Sequence, residues 1–101
     1  MINIEEQQTL LMNVSRALKK RIIVYAIGGT AMMFYGIKET TKDIDLVFEN
    51  LKDRDIFIKA LESIDYKRMN SVIVYGEKKN QPEMLTLGDE RFDLFLESVI
   101  S

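Results

Sequence analysis

The sequence predicts an α+β fold, a mixed β-sheet with helices packed mainly on one face. Three observations predict it. Two stretches, 4–20 and 52–64, carry apolar residues at helical spacing. Two others, 43–48 and 91–96, alternate with period two, as half-buried strands do. A continuous apolar, β-branched run at 22–27 reads as a buried strand. Strands and helices interleave, but the last two strands are expected to run antiparallel, which makes the sheet mixed.

In chain order, 4–20 places Leu10, Leu11, Val14, Ala17 and Leu18 on one stripe. Its acids come early (Glu5, Glu6) and its bases late (Lys19, Lys20, Arg21), as the helix dipole prefers. Gly28-Gly29 ends the strand at 22–27, and the apolar segment 30–35 reads as a short helix stopped by Gly36. Residues 37–42 are a polar loop. In the strand 43–48, Asp43, Asp45 and Val47 share one face, and Ile44, Leu46 and Phe48 share the other. The helix at 52–64 has Phe57, Ala60, Leu61 and Ile64 as its stripe. Beyond it, 72–75 reads as a short strand and 76–82 as a loop. Residues 84–87 and 91–96 form a hairpin around Gly88-Asp89-Glu90, with Arg91, Asp93 and Phe95 on one face.

Composition limits the chemistry. The 101 residues suit one domain, and 47% hydrophobic with 30% charged residues is an ordinary globular balance. No stretch approaches the ~20 apolar residues of a membrane span, and the N-terminus does not read as a secretory leader. A cytoplasmic protein with no membrane partner is expected. Cysteine and histidine are both absent. Thiolate chemistry, cysteine-bound zinc and histidine general bases are thereby excluded. Catalysis must rest on carboxylates, hydroxyls, Lys or Arg, and any metal must favour oxygen. The net charge of −2 argues against nonspecific nucleic-acid binding, which usually needs a basic excess.

The carboxylates call for a reason. Asp is depleted in strands, yet Asp43 and Asp45 sit at i and i+2, roughly 6.6 Å apart along the backbone on one face. Like charges so placed raise each other's pKa unless a cation lies between them. One reading is a solvated sheet face; the other is a site for a hard divalent cation. Asp93 stands between Phe92 and Leu94 in a distant strand. It either joins the first two acids or belongs to an exposed face and pairs with Arg91. Gly28 and Gly29 admit a plain strand-to-helix turn. They equally admit a close approach of backbone N–H groups to an anion, with Thr30 capping the helix or bonding a phosphate oxygen.

The run Ile27-Gly28-Gly29-Thr30-Ala31 through Tyr35-Gly36 to Thr41-Lys42-Asp43-Ile44-Asp45-Leu46, with Phe92-Asp93-Leu94 later, resembles the signature of the nucleotidyltransferase superfamily, the DNA polymerase beta-like fold. Its form looks most like the small prokaryotic branch that includes abortive-infection-type toxin–antitoxin nucleotidyltransferases. The resemblance covers about 22–97. It implies that Asp43, Asp45 and Asp93 hold Mg²⁺ or Mn²⁺ and are catalytic. It further implies that Gly28, Gly29 and Thr30 bind the nucleotide phosphates, with Lys38, Thr41 and Lys42 as further phosphate candidates. The implied reaction transfers a nucleoside monophosphate from NTP to a hydroxyl of tRNA, protein, a small molecule such as an aminoglycoside, or another nucleotide, and releases pyrophosphate.

The sequence departs from the family in two places. Relatives often carry Arg where Lys38 stands, and Lys gives charge without a bidentate fork. Many active members also have a helical region after the third acid, whereas eight residues follow Asp93 here. A protein partner or a second copy of the chain would then complete the pocket, or the chain is a minimal or truncated form, or catalysis has been lost. The competing reading is a catalytically inactive nucleotide-binding or protein-interaction module of a toxin–antitoxin-type system.

Overall fold

The computed structural model describes residues 1–69 and 82–97. A two-residue strand, β1 (Ile2–Asn3), leads into α1 (Ile4–Ala17). The Asn3 side chain accepts the Glu6 N–H at 2.8 Å, and Glu6 accepts the Asn3 N–H at 3.1 Å. This reciprocal capping box fixes where α1 starts. Leu18 is already extended, so the helix expected over 4–20 ends earlier. Lys19 and Lys20 fall in the segment that carries the chain to β2 (Val24–Ala26).

β2 corrects an expectation. The apolar run at 22–27 predicted a buried strand, but among the described residues β2 is a sheet edge and pairs with β4 (Ile44–Phe48) alone. Ile23 and Tyr25 are 57% and 50% exposed. Residue type alone does not reveal how many neighbours a strand has. α2 (Gly28–Phe34) begins two residues before the expected start and takes both glycines into its first turn. β3 (Thr40–Thr41) pairs antiparallel with β1, within the stretch expected to be loop. α3 (Leu51–Ser63) follows β4, and the Asn50 side chain accepts the Asp53 N–H at 2.8 Å to cap it. β5 (Lys67–Met69), β6 (Glu83–Leu87) and β7 (Glu90–Leu96) complete the described elements. The strand expected at 72–75 and the loop expected at 76–82, but for Pro82, lie outside the described residues.

The main sheet runs β2-β4-β7-β6-β5. β4 and β7 are parallel and the other pairs antiparallel, so the sheet is mixed, as expected. The β6–β7 hairpin turns at Gly88, whose φ of 60° is the left-handed conformation that glycine adopts without strain. Val14 of α1 and Phe57, Ile58, Ala60 and Leu61 of α3 form the core with Ile44, Leu46, Phe48, Phe92 and Leu94. Rings link the layers: Phe57 lies 5.3 Å from Phe48 and 5.9 Å from Phe92, centroid to centroid. Because side chains alternate along a strand, covering this face with α1 and α3 turns Asp45 and Asp93 to the opposite one. Arg54 of α3 is buried beneath the sheet and donates to the Leu94 carbonyl at 3.4 Å. Among the described residues no helix is long and apolar enough to cross a membrane.

Candidate functional site

The parallel register sets Asp45 of β4 directly beside Asp93 of β7. Adjacent strands lie about 4.8 Å apart, so two acids distant in sequence become lateral neighbours. Asp43 precedes β4 by one residue. The sheet therefore gathers the three predicted acids into one neighbourhood.

They do not preassemble into a metal cage. Among the described residues no group of three acidic side chains has the arrangement to hold an ion. Arg91 lies between two of them. Its Nη2 donates to Asp43 Oδ2 at 2.6 Å and to Asp93 Oδ2 at 3.2 Å, and its Nε lies 2.9 Å from Asp93 Oδ1. Asp93 is 1% exposed, so this is an almost fully desolvated ion pair on one side. The sequence offered an Asp93 that joins the other two acids, or one on an exposed face paired with Arg91. The structure sets Asp93 beside Asp45 and pairs it with Arg91, and its face is buried at that point, not exposed.

Asp45 differs from its neighbours. Its carboxylate has no hydrogen-bond or ion-pair partner among the described residues; only its backbone is bonded. Its pKa is pushed up to about 6. Burial is the main cause, followed by the charges of Asp93 and Asp43, with Arg91 opposing them. A half-buried carboxylate beside two others, with no ion pair of its own among the described residues, is of the oxygen-donor type that a hard cation takes. Oxygen donors of this kind suit Mg²⁺ or Mn²⁺, but as they stand Asp43 and Asp93 are joined to a guanidinium.

The glycines bring α2 against this cluster. Gly28 has φ +57°, and a Cβ there would sit 3.1 Å from Asp45 Oδ2. A Cβ on Gly29 would come within 2.5 Å of Thr41 Oγ1. Both positions therefore need glycine for packing, whatever else they bind. The first N–H groups of α2 lack intrahelical acceptors, as at any helix start.

Thr30 has a different role from the one expected. It neither caps α2, which starts before it, nor presents its hydroxyl to a ligand. It is fully buried; Oγ1 accepts the Asp45 N–H at 2.8 Å and donates to the Asp43 carbonyl at 3.4 Å. It bolts α2 to the start of β4. Thr41, also buried, donates to the same Asp43 carbonyl at 3.0 Å. Lys38 and Lys42 are exposed. The Lys38 Nζ lies 3.9 Å from the place of a Gly29 Cβ, over the start of α2.

Gln7 was not anticipated. It is fully buried and donates from Nε2 to the Thr30 carbonyl at 3.3 Å, tying α1 to α2. The signal existed: Gln7 falls on the same stripe as Leu10, Leu11 and Val14, and a polar residue in such a stripe needs an internal partner. For Arg91 the contact to Asp93 was readable from their i, i+2 spacing. The contact to Asp43, from a distant stretch of chain, was not.

The described fold matches a solved structure. The crystal structure of the aminoglycoside nucleotidyltransferase ANT(2")-Ia in complex with adenylyl-2"-tobramycin superposes with a TM-score of 0.65 at 22% identity. The match covers 89% of this chain. The fold is the nucleotidyltransferase fold. The chain spans 49% of that neighbour's length. No family model and no curated protein matches the chain.

Proposed function

We propose that this chain is a metal-dependent nucleotidyltransferase that transfers a nucleoside monophosphate from NTP to a hydroxyl acceptor. The observation that carries the reading is the lateral alignment of Asp45 and Asp93 across parallel strands, with Asp43 adjoining and Gly28 against Asp45. The shared fold with ANT(2")-Ia supports it.

In this reading Asp43, Asp45 and Asp93 hold the divalent cation, Mg²⁺ or Mn²⁺. Bound there, the cation neutralises clustered carboxylates and polarises the α-phosphate. Backbone N–H groups at Gly28 and Gly29 hold the outer phosphates, with Lys38 over the start of α2 and Lys42 nearby as supporting charges. Thr30 and Thr41 act indirectly by fixing the backbone of Asp43 and Asp45. Asp93 orients the acceptor hydroxyl and takes its proton. The hydroxyl oxygen forms a bond to the α-phosphorus, the bond from that phosphorus to the bridging oxygen breaks, and pyrophosphate departs.

The test is transfer of label from α-labelled NTP, with Mg²⁺, to tRNA, protein extract or an aminoglycoside. Asp43→Asn and Asp45→Asn are expected to abolish labelling. Labelling that survives both changes removes the carboxylates from the chemistry. One observation favours a second reading. Arg91 already neutralises part of the cluster, which suits an inactive nucleotide-binding or protein-interaction module of the toxin–antitoxin type. Calorimetric binding of NTP without turnover in a cell extract would favour that module, with a protein partner or second copy as its target.

A further inference from the structure

We propose that Gln7 is a positioning residue for the candidate site: from α1 it holds the first turn of α2, and through Thr30 it sets where the backbone of Asp43 and Asp45 lies. Its bearing on catalysis rests on the nucleotidyltransferase reading, whereas the clamp itself stands on hydrogen bonds and burial.

Three observations carry it. First, Gln7 is fully buried, and its Nε2 donates to the Thr30 carbonyl at 3.3 Å. Thr30 is fully buried too; its Oγ1 accepts the Asp45 N–H at 2.8 Å and donates to the Asp43 carbonyl at 3.4 Å. One polar chain therefore runs from α1 through α2 to both acids at the start of β4. Second, the first turn of α2 has little of its own to hold it. It opens on two glycines, which pay the largest backbone entropy in a helix, and Ile27 before them gives no side-chain cap. Gln7 supplies a hold from outside the helix. Third, stability does not explain the residue. Gln7 shares a stripe with Leu10, Leu11 and Val14, and its Oε1 is buried with no hydrogen-bond partner among the described residues. A buried amide left half-satisfied costs free energy that an apolar side chain of similar shape would not. Such a breach of local rules is expected where a residue serves a site.

The Asp43 carbonyl has a second donor in Thr41, at 3.0 Å. Loosening of the clamp therefore falls mainly on Asp45. A reacting group held slightly out of place slows the chemical step more than it weakens binding.

The test is Gln7→Met, which keeps volume and helix propensity but removes the donor. Amide hydrogen exchange on the full chain, followed by NMR, is expected to quicken at the Asp45 N–H and along α2 by roughly fivefold, the loss of one net hydrogen bond. Exchange in β6 and β7 should not change, and the melting temperature should hold or rise. Equal quickening across all strands, with a lowered melting temperature, marks Gln7 as a packing residue and overturns the proposal. So does unchanged exchange at Asp45 and α2. The wild type gives a check that needs no variant to fold: the Gln7 side-chain amide protons should exchange slowly, and rapid exchange there overturns the clamp. In the NTP-labelling assay Gln7→Met should lower kcat severalfold and leave KM for NTP nearly unchanged; an unchanged kcat removes the catalytic role. A wild-type chain that labels nothing removes the nucleotidyl-transfer reading, while the exchange pattern still upholds or overturns the clamp.

Discussion

Asp45 shows how much one side chain's surroundings can set its chemistry. Burial and two like charges lift its pKa from 3.8 to about 6. The folded state thus binds a proton that the unfolded chain has released between about pH 4 and 6, so Asp45 lowers stability as pH rises through that window. Asp45→Asn should make the metal-free protein more stable at pH 7 and flatten its stability between pH 4 and 7. Denaturant titrations in EDTA at several pH values check this, and an unchanged profile would mean that the charge is compensated. Gly29 is constrained by space. Gly29→Ala brings a methyl group within 2.5 Å of Thr41 Oγ1, and overpacking of this kind costs about 1–3 kcal/mol. Thr41→Ala in the same chain should recover part of that loss, whereas simple addition of the two effects would show that the sites do not touch. Thr30→Val leaves the Asp45 N–H without its acceptor, at a cost of about 1–3 kcal/mol, and should weaken NTP labelling by loosening β4 against α2.

At the scale of elements, caps and stripes do most of the positioning. The capping box at Asn3 starts α1 at Ile4, three residues before Gln7, and Gln7 reaches α2 through Thr30. Asn3→Ala should cost about 1 kcal/mol, read as a lowered denaturant midpoint with little change in slope. Phe57 of α3 joins the two central strands by touching Phe48 of β4 and Phe92 of β7. Phe57→Ala should cost about 3–5 kcal/mol. The elements that hold this ring contact, α3, β4 and β7, were readable because their apolar residues recur at one clear period. β1 and β3 were not. Two residues each carry no period, and only their mutual pairing makes them strands. β2 was readable as a strand but not as an edge, because an apolar run looks alike at either place.

Across the whole molecule, the sheet order places β4 and β7 at the centre of the carboxylate cluster and of the core together. Amide hydrogen exchange should be slowest in these two strands and fastest in the β1–β3 ribbon. Slow exchange in the ribbon would mean that it is part of the cooperative core. The sequence by itself determined the α+β class, the side-chain alternation that sets Asp43 and Asp45 on one face, and the glycine pair that follows β2. These follow from local periodicity and backbone freedom, which neighbouring residues alone specify. Only the tertiary structure decided that Asp93 lies beside Asp45, that Thr30 faces inward to the backbone, and that Arg91 binds Asp43 as well as Asp93. Those contacts depend on the register between strands far apart in the chain, and register is fixed by packing the whole core at once.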